Sequence, residues 1–148
     1  MGISSTLASA QTATQTVTFA VTAINQISAT GSPSVTVTTA TAGSQPSAAT
    51  DASSTWAVTT NQTGAKISAS IPTAMPTGLT LLVNLAAPSG ATSAGLTSLG
   101  TVAVDLVTAI TKVAQLGMTA TYELTATAAA GVVASSTKVV TYTISGGT

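Results

Sequence analysis

The feature that most limits what this chain can become is a period-two alternation of apolar and hydroxyl-bearing side chains, repeated along most of its length. Residues 16–22 read Thr-Val-Thr-Phe-Ala-Val-Thr, which puts Val17, Phe19 and Val21 on one face of an extended segment. The same reading holds for 34–38 (Val35, Val37), 54–60 (Trp56, Val58), 66–71 (Ile67, Ala69, Ile71) and 79–85 (Leu79, Leu81, Val83, Leu85). It returns in 118–128 (Met118, Ala120, Tyr122, Leu124, Ala126) and in 138–144 (Val140, Tyr142, Ile144). Thr suits the outward positions, because its branched Cβ fits a strand and its hydroxyl meets water without a charge. Turn signals separate these runs: Gly31-Ser32-Pro33, the Ser- and Pro-containing stretch 42–52, Asn61-Gln62-Thr63-Gly64, Pro72 to Gly78, the loop 88–95, and Gly131. The 61–64 turn predicts a hairpin that pairs the Trp56 strand with the Ile67 strand. Residues 96–104 read as a weaker strand and 146–148 as a loose end. Residues 105–115 admit two readings. Leu106, Ile110 and Val113 have near-helical spacing between Asp105 as N-cap and Gly117 as C-cap, whereas Leu106, Thr108 and Ile110 alternate. The Val and Thr content and the surrounding strands favour the strand.

Seven or eight short strands spaced by turns predict an all-β fold, an immunoglobulin-like Greek-key β-sandwich open to completion by a strand from a neighbouring subunit. The 148 residues suit one domain. Residues 15–148 form the sandwich, and 1–14 are a flexible arm or the remnant of a signal peptide. The core is light, with Trp56, Phe19, Tyr122 and Tyr142 as its heaviest members. Ala8 and Ala10 flank Ser9 in the small-x-small form of a signal-peptidase site, with Gln11 following, although a basic n-region and a long apolar h-region are missing. No membrane insertion is expected. The uncharged stretch 79–104 is interrupted by Asn84, Pro88, Gly90, Gly95 and Gly100, and four aromatic residues are too few for the girdles of a spanning barrel.

The charged residues are Asp51, Lys66, Asp105, Lys112, Glu123 and Lys138, with a net charge of zero and no His, Cys or Arg. Nucleic-acid binding needs cations to displace phosphate counterions, and three scattered lysines do not supply them. A metal site wants His, Cys or clustered carboxylates, and the three carboxylates lie far apart in sequence. Acid–base chemistry near neutral pH usually uses His. A Ser–Lys dyad in Ser135-Ser136-Thr137-Lys138 is the one catalytic route left; the run reads better as the start of a strand. No enzymatic activity, cofactor or metal is expected. Asp105 and Glu123 are expected to face solvent or to pair across strands with Lys112 and Lys138. Trp56 reads as core rather than as a sugar-stacking platform. Asn61-Gln62-Thr63 matches the N-glycosylation sequon, with an ordinary turn asparagine as the competing reading of Asn61.

Five runs carry a resemblance: Ala-Thr-Asp-Ala-Ser-Ser-Thr from Ala49, Lys-Ile-Ser-Ala-Ser-Ile from Lys66, Met-Pro-Thr-Gly-Leu-Thr-Leu from Met75, Asn-Leu-Ala-Ala-Pro-Ser-Gly-Ala-Thr-Ser-Ala-Gly from Asn84, and the closing Thr-Tyr-Thr-Ile. Together they resemble a group of small, secreted, Thr/Ala-rich bacterial all-β proteins without an established activity. In type, the composition is also similar to donor-strand pilins and other extracellular filament subunits with immunoglobulin-like folds. What this likeness implies is secretion and a place at the cell surface.

The stripe Val17, Phe19 and Val21, followed by Ile24, is either the domain's own first strand or a strand given to a neighbour. A surface almost without charge lacks electrostatic repulsion and suits a subunit packed against its own kind. The expectation is therefore a structural subunit of an extracellular, pilus-like filament or surface layer, a homo-polymer assembled by β-strand addition. The alternative is a monomeric secreted sandwich that contacts glycans or the cell surface through loops 42–52 and 88–95.

Overall fold

A computed structural model of the chain describes residues 2–148. Its elements are β1 (Asn25–Thr30), β2 (Ala49–Thr60), β3 (Ala65–Ser70), β4 (Leu79–Leu85), β5 (Thr92–Ser93), β6 (Thr97–Ser98), β7 (Val104–Ile110), β8 (Val113–Ala126) and β9 (Thr141–Gly146). A single 3-10 turn, Ala128–Ala130, is the helical content among the described residues. The strands form a five-stranded sheet ordered β1-β2-β8-β4-β6 and a four-stranded sheet ordered β5-β7-β3-β9. All pairings are antiparallel. The fold is all-β and sandwich-like, as the period-two pattern predicts.

Alternation dictates the core. The first sheet turns Trp56, Val58, Leu81, Val83, Leu85, Met118 and Ala120 inward, and the second turns Ala65, Ile67, Ala69, Leu106, Val107 and Ile110 inward. Trp56 is 2% exposed and its indole N–H donates to the Ala86 carbonyl at 3.1 Å, so the heaviest core side chain is also polar-satisfied. Ser54 shares this inward face, and its buried hydroxyl has no hydrogen-bond partner.

The expected hairpin between the Trp56 and Ile67 strands does not form. β2 pairs with β1 and β8, and β3 pairs with β7 and β9, so residues 61–64 carry the chain from one sheet to the other. Trp56 and Ile67 thereby contribute to one core from two sheets instead of lying side by side. The tail is not loose: Thr148 and Thr63 exchange two backbone hydrogen bonds, at 2.9 and 3.1 Å. Gly147 packs so closely on Gln62 that an added Cβ would lie 2.5 Å from the Gln62 Cβ.

Residues 105–115 are strand, turn and strand. β7 runs through Ile110, Ala109 and Lys112 take positive φ (59° and 43°), and β8 begins at Val113. Gly117 (φ 70°) is not a helix cap but lies beside the register shift between Trp56 and Val58 in the β2–β8 ladder. The loop 42–52 is shorter than expected, since β2 begins at Ala49, and 96–104 keeps only a two-residue strand before β7. Residues 16–22 and 34–38 alternate but belong to no strand, and β9 starts at Thr141, not at Lys138. Asp105 pairs with Lys66 at 3.2 Å rather than with Lys112 or Lys138. Lys138 instead donates to Thr73 Oγ1 and to the Ala74 carbonyl, which ties residues 131–140 to the Pro72–Pro76 turn.

Candidate assembly site

Residues 2–24 are exposed throughout and lie in no strand or helix. Val17, Phe19 and Val21 are 74%, 89% and 80% exposed, so Phe19 is not a core residue. Ala8 and Ala10 lie further along the same exposed arm. The alternation in the sequence says nothing about what covers these side chains, and the chain itself leaves them exposed.

The reason lies at the root of the arm, where Asn61 acts as an extra rung beyond the β1–β2 ladder. Its backbone N–H donates to the Ile24 carbonyl at 3.2 Å, and its Oδ1 accepts the Ile24 N–H at 2.8 Å. Its Nδ2 donates to the Thr22 carbonyl at 2.8 Å, so the amide nitrogen of the sequon is engaged in holding the arm. Gln62 Nε2 donates to the same Oδ1 and steadies it. One residue on, the Thr60 hydroxyl donates to Asn25 Oδ1, and Asn25 Nδ2 reaches the Gly146 carbonyl of β9 at 3.2 Å. These bonds keep 22–24 in line with β1, so the chain before Thr22 leaves the body instead of folding back along it.

The two sides of the sandwich differ. On the side of β5 and β6, the chain crosses between the sheets and stitches them. The Ile71 N–H donates to the Gly100 carbonyl at 2.9 Å and the Ser93 hydroxyl to the Leu85 carbonyl at 2.7 Å, each joining the two sheets, while Leu99 N–H to Leu81 and Ala94 N–H to Leu106, both at 2.8 Å, extend the β6–β4 and β5–β7 ladders. On the other side the sheets end in β1 and β9, joined at the Asn25–Gly146 contact. Away from it the core is thinly covered: Ile27 on one wall and Val140, Tyr142 and Ile144 on the other are only half-buried. Between the walls lies a crevice of about 10 Å³ lined by Ile27, Ala29, Trp56, Leu85, Ala120 and Tyr142. The Tyr142 hydroxyl shares a short hydrogen bond with that of Tyr122. Burial, then this bond, pushes its pKa well above the usual tyrosine range.

The remaining polar features fasten loops. Asp51 Oδ2 accepts the Ser34 N–H at 2.9 Å, and Oδ1 accepts the Ser53 N–H at 2.7 Å and the Ser53 hydroxyl. The Ser34 bond, with those from Ser53, holds the Asp51 carboxyl below the ordinary carboxylate range and clips the chain after β1 onto β2. Among the described residues, no three His, Cys, Asp or Glu side chains are grouped to hold a metal ion, and no helix is long and apolar enough to cross a membrane. Sequence reasoning found the stripe on the arm but missed the open β1/β9 side and the clamp at Asn61. The Val140, Tyr142 and Ile144 alternation was readable; that its strand ends a sheet depends on long-range pairing that no local pattern encodes.

No family model matches the chain, and no characterised protein or solved structure shows significant similarity to it.

Proposed function

We propose that the protein is a structural subunit of an extracellular, pilus-like filament or surface layer, in which the arm of one copy supplies a strand to the next. The observation that supports this reading is the exposed stripe Val17, Phe19 and Val21 on an arm whose root is fastened so that it points away from its own domain. Three large apolar side chains within five residues form a contiguous exposed apolar feature of the kind that marks an interaction surface. Burial of Phe19 alone contributes roughly 1.5–3 kcal/mol, and the backbone ladder sets register. In this reading each free subunit is an immunoglobulin-like Greek key short of one strand, and a neighbour completes it. Signal cleavage after Ala10 leaves residues 11–24 as the arm, about 45 Å when extended. Six charges with no net excess impose little repulsion on close packing of subunits.

Electron microscopy and gel filtration of the purified full chain test the proposal. Fibres or ordered layers are expected. A monomer that stays monodisperse across a wide concentration range overturns it and favours the monomeric adhesion module, to be followed by glycan-array binding.

A further inference from the structure

We infer that the acceptor for the arm is the open side between β1 and β9 of a second copy, with the arm hydrogen-bonded along the free edge of β9. The inference rests on the strand-addition reading above and adds the address at which the strand docks.

Four observations carry it. First, the β5/β6 side is closed by the crossing chain and its backbone bonds, whereas the β1/β9 side is joined at one end and leaves half-buried core beyond. Second, the apolar patterns match. Val140, Tyr142 and Ile144 stand at every second position of the β9 segment, as Val17, Phe19 and Val21 do on the arm. Neighbouring strands share one repeat, so an arm paired with β9 places its apolar face beside those three residues and opposite Ile27 of β1. The crevice beneath is no larger than one water, so the Phe19 ring lies over it as a cover rather than entering it. Third, residues 2–24 and 139–148 contain no charged side chain, so docking strands no ion in an apolar site. Fourth, the arm is kept out of its own slot. Self-docking requires a reversal within residues 22–24, which breaks the Asn61 bonds to Thr22 and Ile24.

The chain has no cysteine, so introduced pairs report position without background. With the apolar stripe facing the core, Thr18 and Ala20 face outward on the arm, as do Thr141 and Thr143 on β9. Directly opposed residues on paired strands have Cβ atoms roughly 4.5–5.5 Å apart, near enough for a disulfide after small adjustment. Full-length double variants combining Thr18→Cys or Ala20→Cys with Thr141→Cys or Thr143→Cys are assembled under reducing conditions, checked for filaments, mildly oxidised and run on non-reducing gels. Gln26→Cys and Ser28→Cys on β1 serve as the comparison set. A ladder of covalent dimers, trimers and higher species is expected for at least one β9 pair and for no β1 pair. Filaments whose ladder forms only through β1, or through neither edge, overturn the acceptor and leave strand addition standing. A disulfide-closed monomer overturns it as well, because the arm then fills its own slot. Absence of filaments from the wild-type chain removes strand addition itself. A second readout avoids cysteine altogether: a synthetic peptide of residues 14–24 is added to the full-length Phe19→Asp protein and amide exchange is followed. Slowing of exchange at least tenfold along 141–146 is expected; protection confined to 25–30, or none, overturns the inference.

Discussion

Phe19 and Trp56, the one phenylalanine and the one tryptophan of the chain, stand in opposite surroundings, and substitution at each should report on a different process. Trp56 lies between the sheets with its N–H on the Ala86 carbonyl. Trp56→Ala removes that volume and orphans the carbonyl, at a cost of about 3–5 kcal/mol. For a domain of this size that lowers the thermal midpoint by about 10 °C or more. Phe19 buries almost none of its surface in its own subunit. Phe19→Asp should therefore leave the midpoint of the dilute subunit within the effect of an ordinary surface change, about 0.5 kcal/mol, while abolishing assembly, because a charge would enter an apolar slot unpaired. Melting curves and sedimentation on the same two samples check both outcomes. A Phe19→Asp protein that unfolds would mean that the arm belongs to its own domain.

At the scale of elements, the alternation that defines a strand and the contact that completes it are separate kinds of information. The expected 79–85 strand coincides with β4, because local features bound it on both sides. Gly78 (φ 83°) makes the turn before it, where an added Cβ would lie 2.7 Å from Thr127 Oγ1, and Pro88 follows it. Residues 16–22 show an equally clean alternation and join no strand, since alternation reveals a face and not a partner. The 61–64 turn failed as a hairpin for the same reason: a four-residue turn serves equally well to cross between sheets, and the choice lies with the β8 and β9 pairings far along the chain. Asn61 is the residue on which the arm's direction depends. Asn61→Ala deletes its bonds to the Ile24 N–H and the Thr22 carbonyl but keeps the backbone bond to Ile24. The freed arm should reach its own open side more often. The expected result is a several-fold rise in soluble monomer at the expense of polymer, with little change in fold by circular dichroism. Unchanged polymer yield would place the arm's direction elsewhere than in the clamp.

For the molecule as a whole, the sparse charge makes stability nearly indifferent to pH across a wide range, and the two shifted groups define its limits. The chain has no His, so no side chain ordinarily titrating near neutrality is present. Asp51 has its pKa depressed below 3.8, first by the Ser34 N–H and then by Ser53. A depressed carboxyl contributes stability above its unfolded value and loses it as pH falls through the folded one, so its contribution fades only below about pH 3.8. Because Asp51 stays partly open to water, that acid limb is shallow. Tyr142 is shifted the other way, by burial and then by the Tyr122 hydroxyl. The fold favours its neutral form, so this contribution is complete below the ordinary value of 10.0 and is lost as pH rises beyond it. Thermal midpoints should lie on a plateau from about pH 5 to 9, with a small decline below pH 4 and a steeper one above pH 10. Asp51→Asn should flatten the first and Tyr142→Phe the second; a cooperative collapse near pH 5 would contradict the assignment. The alkaline limb bears on assembly only through the fold. Burial already keeps Tyr142 neutral in the free folded subunit well above pH 10, so a strand laid along β9 changes its protonation little there. Linkage above pH 10 therefore acts through unfolding, and light scattering and the circular dichroism of the folded state should fall together. Tyr142→Phe filaments should keep their scattering at the same pH.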